Sequence, residues 1–154
     1  DIPLPYPPVI LSPIGFVREL NHGDATGEWF TCGDKRIDKI GAGEYLYYKK
    51  LSKNCKVFVI ENGEKTVGVL HFYIKRGSAW IETLAISKEM QGKGIGTRIV
   101  NFFLAWCKFN GIRWIHLDAF KEREGFYADL KFHKTKEFNI PTYGKFCRMK
   151  KKVF

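Results

Sequence analysis

Leu84-Ala85-Ile86-Ser87-Lys88-Glu89-Met90-Gln91-Gly92-Lys93-Gly94-Ile95-Gly96-Thr97 passes from a β-rich run, through alternating glycines, into an apolar stretch of helical composition that lasts to Asn110. A strand that feeds a helix through glycines presents consecutive backbone N–H groups that no carbonyl of the helix satisfies. The helix dipole adds partial positive charge at the same place. Glycine also lets a ligand come close to the main chain. The segment therefore suits a phosphate or pyrophosphate, with Lys93 contributing a formal charge. A tight turn with no ligand is the alternative reading of the same glycines.

Two phosphate-binding patterns fit it poorly. A nucleotide P-loop ends in Gly-Lys-Ser/Thr, whereas Gly96 is followed by Thr97-Arg98. The dinucleotide fingerprint Gly-x-Gly-x-x-Gly comes closer, and Asp118 stands at the end of the next strand, where a ribose-binding acid belongs. Here, however, the third glycine arrives one residue early, and a hairpin precedes the loop where that fold would start with a strand-helix-strand unit.

That hairpin is read from Lys56-Val57-Phe58-Val59-Ile60, a β-rich run, then the turn signal Asn62-Gly63, then a second run from Thr66 to Lys75. Arg76-Gly77-Ser78 turns the chain into a third strand, Ala79 to Ser87. Gly94 to Asn110 is a helix whose apolar residues occupy more than one face, which predicts extensive burial, and Gly111 stands where a left-handed cap would end it. Ile112 to Phe120 reads as a strand, Arg123 to Leu130 as a short helix, and Phe132 to Phe138 and Lys145 to Val153 as a closing pair of strands. Upstream, Ile14 to Leu20 reads as a strand and Lys35 to Leu51 as a helix weakened by Gly41 and Gly43. Prolines at 3, 5, 7, 8 and 13 make residues 1–13 an extended arm short of ladder donors. Residues 14–154 are then one domain of mixed α/β order.

The composition agrees with a packed domain and adds a charge. Of 154 residues, 45% are hydrophobic and 16% aromatic, which excludes global disorder. Lys and Arg outnumber Asp and Glu 26 to 16, a net charge of +10, so an anionic partner is expected and strongly cationic substrates are disfavoured. No apolar run reaches the ~20 residues of a membrane span, and no basic-then-apolar leader opens the chain, so a soluble cytoplasmic protein is expected. Cys32, Cys55, Cys107 and Cys147 are scattered, with no Cys-x-x-Cys pair and no histidine at ligand spacing. They predict reduced, mostly buried thiols rather than a metal site.

Leu84-Ala85-Ile86-Ser87 followed by Gln91-x-x-Gly94-x-Gly96 resembles the acetyl-CoA-binding motif of the GNAT family of N-acetyltransferases. Phe126-Tyr127-x-x-Leu130-x-Phe132 is similar to that family's Phe-Tyr-x-x-x-Gly-Phe junction, with Lys131 where the glycine usually stands, and Phe146 to Val153 supplies a last strand. The resemblance covers roughly residues 55 to 153. It implies a GNAT fold: an α+β domain with a mixed, mostly antiparallel sheet of about seven strands and about four helices. Phe30-Thr31-Cys32-Gly33, followed by Ile37, is similar to the opening of the family's toxin-type members that acetylate aminoacyl-tRNA.

The resemblance also implies a mechanism. Acetyl-CoA, as co-substrate, would lie in a V-shaped gap between the strand ending at Ser87 and the strand from Ile112. Main-chain groups of Leu84, Ala85 and Ile86 would pair with its pantetheine arm, and Gln91, Gly92, Lys93, Gly94, Ile95, Gly96 and Thr97 would hold its pyrophosphate. An N–H near Leu84 would stabilise the oxyanion. Tyr127 would protonate the departing thiolate, and Glu82, sharing a strand face with Trp80 and Leu84 by alternation, is the candidate base for the amine. His71 and His116 are weaker candidates for that role.

The basic charge is uneven. Up to Gly77 there are eleven basic and nine acidic residues, and beyond it fifteen and seven, a surplus of +2 against +8. After Leu130 seven lysines and Arg148 meet only Glu137. This end of the chain is a candidate RNA surface or a solvated hairpin whose lysines block edge pairing. The expected activity is direct transfer of an acetyl group to a primary amine, such as the α-amine of an aminoacyl-tRNA or a protein. A small-molecule amine acceptor and a non-catalytic nucleic-acid-binding module are the alternatives, and a homodimer is compatible with each.

Overall fold

The computed structural model describes residues 9–11, 15–20, 32–34, 55–63 and 65–154, the first two segments as backbone only. Eight strands build one sheet: β1 (Val9–Leu11), β2 (Gly15–Leu20), β3 (Cys55–Asn62), β4 (Lys65–Lys75), β5 (Ser78–Ile86), β6 (Trp114–Phe120), β7 (His133–Ile140) and β8 (Gly144–Lys152). Their spatial order is β1-β2-β3-β4-β5-β6-β8-β7. Neighbours are antiparallel except β5 and β6, which run parallel. A parallel pair needs a long crossover, and helix α1 (Ile95–Phe109) supplies it. A short helix α2 (Glu124–Asp129) precedes β7, and single 3-10 turns occupy Lys88–Met90 and Lys121–Arg123.

The expected mixed, mostly antiparallel sheet is present, with one strand more than the expected seven. The additional strand is β1, inside the stretch expected as an arm. Val9-Ile10-Leu11 lies between Pro8 and Pro13 and keeps its own N–H donors, so it pairs at the sheet edge with Val9 opposite Val17. Residues 1–8 and 12–13 of that arm, and the expected helix from Lys35 to Leu51, lie outside the described residues. Two α-helices are therefore described where about four are expected.

The core forms where α1 crosses one face of β3 to β6. Phe58, Leu70, Phe72 and Ile81 on the strands meet Ile99, Phe103 and Trp106 on the helix. The Phe72 ring lies 4.5 Å from that of Phe103 and 5.2 Å from that of Trp106, contacts worth about 0.5–1.5 kcal/mol each beyond the area they bury. The extensive burial expected of α1 follows one wide stripe, through Ile95, Ile99, Val100, Phe102, Phe103, Trp106 and Cys107. Asn101 and Ala105 are exposed, and the apolar Phe109 is 62% exposed at the last turn. The opposite face of β3 and β4 is also closed, with Val57, Val59 and Val69 fully buried.

Both helices end in the same left-handed cap. After α1, Gly111 (φ +72°) lets the Ile112 N–H reach back to the Cys107 carbonyl at 2.8 Å. After α2, the Phe132 N–H reaches the Tyr127 carbonyl at 3.0 Å and the Lys131 N–H reaches that of Ala128 at 2.9 Å. The residue in the left-handed position there is Lys131 (φ +69°). Lys131, which stands where the resemblance expects a glycine, thus takes a conformation that favours glycine.

Candidate active site

Strands β5 and β6 pair as Ser78 with Trp114, Ala79 with Ile115, Trp80 with His116 and Ile81 with Leu117, and the pairing stops there. Beyond it β5 runs on to Ile86 and β6 to Phe120. The two strands thus part in the middle of the sheet, leaving backbone groups on the facing edges without a partner strand. A cavity of about 1080 Å³ fills the opening, which is roomy beside the ~300–1,000 Å³ usual for small-molecule sites.

A bulge sits at the fork. His71 pairs with Thr83 and Phe72 with Ile81, so Glu82 is the extra residue on β5. This corrects the alternation assumed from sequence. Trp80 lies opposite Tyr73 and Leu84 opposite Leu70, and residues three apart on β4 point to opposite faces, so Trp80 and Leu84 do not share a side. The slip leaves Glu82 exposed on the cavity wall instead of in the ladder. Leu84, Ala85 and Ile86 follow it along the same wall.

At the far end of β5 the glycine loop closes the cavity. Gly92 and Gly94 both take positive φ, +75° and +76°, and a side chain on either would meet nothing within 4 Å. What these two glycines provide is a left-handed backbone beside open space. The first bond of α1 runs from the Arg98 N–H to the Gly94 carbonyl at 3.2 Å, so the N–H groups of Ile95, Gly96 and Thr97 precede the helical ladder at its positive end. Such a run of N–H groups at a helix N-terminus suits phosphate oxygens.

Gln91 and Gly96 also line the cavity, and each makes a packing or bracing contact of its own. A Cβ on Gly96 would stand 3.2 Å from Cζ of Phe126, so this glycine lets α2 approach α1. The Gln91 carboxamide donates to the backbone carbonyls of Ile86 (2.9 Å) and Cys32 (2.5 Å), bracing the loop against the end of β5. Lys93 is exposed and is not among the residues of the cavity wall.

Tyr127 reaches the cavity from α2 between the rings of Phe126 and Phe132, at 4.9 and 5.5 Å. Burial pushes its hydroxyl up to about 12, so it keeps its proton at neutral pH. Across the gap His71, buried on β4, is pushed down to about 4 by the same desolvation and is neutral. Tyr73, its neighbour on the cavity wall, is raised by burial and by the carboxylates of Glu82 and Asp118. Glu124 on α2 is held at about 2 by hydrogen bonds from Lys121 (2.6 Å) and Lys134 (3.2 Å), and Glu137 receives the same two lysines.

Tyr73 and Phe146 line the cavity without a motif to announce them. Tyr73 follows His71 at strand spacing and faces Trp80, but sequence alone does not show that β6 turns away there. Cys32 and Cys55 also line it, neither in a disulfide, while Cys107 and Cys147 are buried in the core.

The acetyltransferase (GNAT) domain family matches residues 53–134 of the chain. No curated protein matches its sequence. Among solved structures, the ribosomal-protein-S18-alanine N-acetyltransferase of Escherichia coli superposes with a TM-score of 0.63 at 14% identity, covering 71% of this chain and 76% of that one. A GNAT family acetyltransferase from Elizabethkingia anophelis with acetyl-CoA bound gives 0.65 at 13% identity over 88% and 96%. KacTA, solved in complex with DNA, gives 0.65 at 18% over 89% and 93%. The family match spans more than half of the chain and includes both the parted strand β5 and the helix carrying Tyr127, so the protein is a member of the GNAT family, an acyltransferase with acetyl-CoA as its co-substrate.

Proposed function

We propose that the protein transfers acetyl directly to the α-amine of an aminoacyl-tRNA. The observation that carries this reading is the basic surplus beyond Gly77, fifteen basic against seven acidic residues, which suits an amine carried on a large anion. His71 on the cavity wall is held neutral by burial, leaving Glu82 as the candidate base there. An α-amine near 7.7–8.0 arrives roughly a tenth neutral at pH 7 and leans on a base less than a lysine near 10.4, which arrives less than a thousandth neutral.

Acetyl-CoA supplies the thioester carbonyl. Leu84, Ala85 and Ile86 hold it along the unpaired edge of β5, and the N–H groups from Gly92 to Thr97 hold its phosphates. An N–H near Leu84 faces the carbonyl oxygen as charge develops there. The amine nitrogen bonds to the carbonyl carbon, the carbon–sulfur bond breaks, and Tyr127 gives its proton to the leaving sulfur. Burial raises the Tyr127 phenol, so it holds its proton until the thiolate departs. Glu82, projecting from the bulge, takes the proton that the amine loses, directly or through water.

Incubating the protein with labelled acetyl-CoA and separated tRNA, protein and metabolite pools tests the reading. The label should enter aminoacyl-tRNA, vanish when the ester is stripped beforehand, and leave the other pools unmarked. Labelling of proteins or small amines alone would replace the acceptor while keeping the enzyme.

A further inference from the structure

On the sheet face away from α1 and α2, the register sets one row across five strands: Tyr73 on β4, Trp80 on β5, His116 on β6, Lys150 on β8 and His133 on β7. Its rings are nearly parallel. Tyr73 and Trp80 are 3° apart in plane with centroids at 6.2 Å, and Trp80 and His116 15° apart at 4.4 Å. Two residues on, Asp118, Arg148 and Lys136 make the next row, and Phe120, Phe146 and Phe138 the third, with Phe138 and Phe146 within 13° of parallel.

Cations lie over these rings. Lys150 stands 5.0 Å from the Trp114 centroid, Lys136 5.4 Å from Phe138, and Arg148 5.7 Å from Trp80 and 5.6 Å from Phe138. The one carboxylate in the three rows, Asp118, is taken by Arg148 in a two-pronged pair at 2.8 and 3.0 Å. The rings are half-buried rather than covered, and neither described helix packs on this face. Exposed sheet faces ordinarily carry polar residues at these positions.

We infer that this face is a stacking platform for single-stranded RNA. Flat rings accept base faces without regard to sequence, and flanking cations meet the phosphates. Lys136, Lys150 and Lys152 have no carboxylate partner among the described residues. The platform runs into the cavity, since Tyr73, Asp118, Phe120 and Phe146 belong to both. A strand lying on it would deliver a terminal amine to the acyl-transfer site. The choice of RNA rests on the proposed acceptor; the platform rests on the rings and charges.

The test is binding of an uncharged ten-nucleotide single-stranded RNA to the full chain, followed by anisotropy over a salt series. Trp114→Leu should weaken it by about five- to a hundredfold, Trp114→Tyr should restore most of that, and Lys150→Gln should flatten the salt slope by about 0.7. A duplex of the same sequence should bind more weakly. Unchanged binding in Trp114→Leu with retained melting temperature, tighter binding of duplex or of an acidic peptide, or loss of a self-association in Trp114→Leu would each overturn the inference. Binding without acetylation of aminoacyl-tRNA would keep the platform and reject the proposed acceptor. Acetylation with unchanged KM in Trp114→Leu would do the reverse.

Discussion

Individual side chains here take their chemistry from where the backbone leaves them. Glu82 leaves the ladder because β5 carries one residue more than β4 at that point, and an acceptor already a tenth neutral asks little of it. Glu82→Gln is therefore expected to lower kcat/KM for an α-amine less than about tenfold at pH 8. A loss of the ~10²–10⁴ typical of a required general base would show that the amine arrives charged. His71 has a second consequence. Between pH 6.5 and about 4 the unfolded chain takes a proton at His71 that the folded chain refuses, so the His71 contribution to stability is lost as pH drops through that window and is constant below it. The loss should approach about 3 kcal/mol, from 1.36 kcal/mol per pKa unit. Denaturant titrations at pH 7, 5.5 and 4 should show that slope in the parent and not in His71→Phe; equal slopes would contradict it.

At the scale of elements, two glycine positions separate conformation from contact. Lys131 holds a left-handed backbone that costs an L-residue roughly 1–2 kcal/mol, while glycine there would lose roughly 0.5–1 kcal/mol in chain entropy. Lys131→Gly should thus stabilise the fold by about 0.5–1 kcal/mol, a rise of roughly 1–4 °C in Tm, and a fall would mean that the side chain has a role of its own. Gly96→Ala should weaken acetyl-CoA binding by displacing Phe126, and Gly96→Ala with Phe126→Leu should recover it in calorimetry. No recovery would assign Gly96 to the phosphate cradle instead. The glycine loop, the hairpin and the helix ends were legible in the sequence because turns and caps are chosen by local φ and by missing N–H groups. The bulge at Glu82, the Gln91 brace to Cys32 and the cavity position of Tyr73 were not, because each depends on a neighbour distant in the chain. Alternation fails at a bulge, and nothing in Ile81-Glu82-Thr83 announces one.

For the whole molecule, the net charge of +10 resolves into a position. Lys121 and Lys134 are taken by Glu124 and Glu137 on the helix side, and Arg148 by Asp118. Lys136 and Lys150, over Phe138 and Trp114, put part of the remaining surplus with aromatic rings on the opposite face, which runs into the cavity. On the proposed reading, family, cleft and charge describe one enzyme, in which a cradle for phosphates and a surface for an anionic acceptor serve one acyl-transfer site at Tyr127. Rapid-quench mixing of the protein with labelled acetyl-CoA and aminoacyl-tRNA tests this most directly. The label should appear on the α-amine in step with release of free coenzyme thiol, with none on the protein, and Tyr127→Phe should slow both by about 10²–10⁴-fold. Transfer at the parent rate in Tyr127→Phe, or acetyl trapped on Cys32 or Cys55 before it reaches the RNA, would contradict the account.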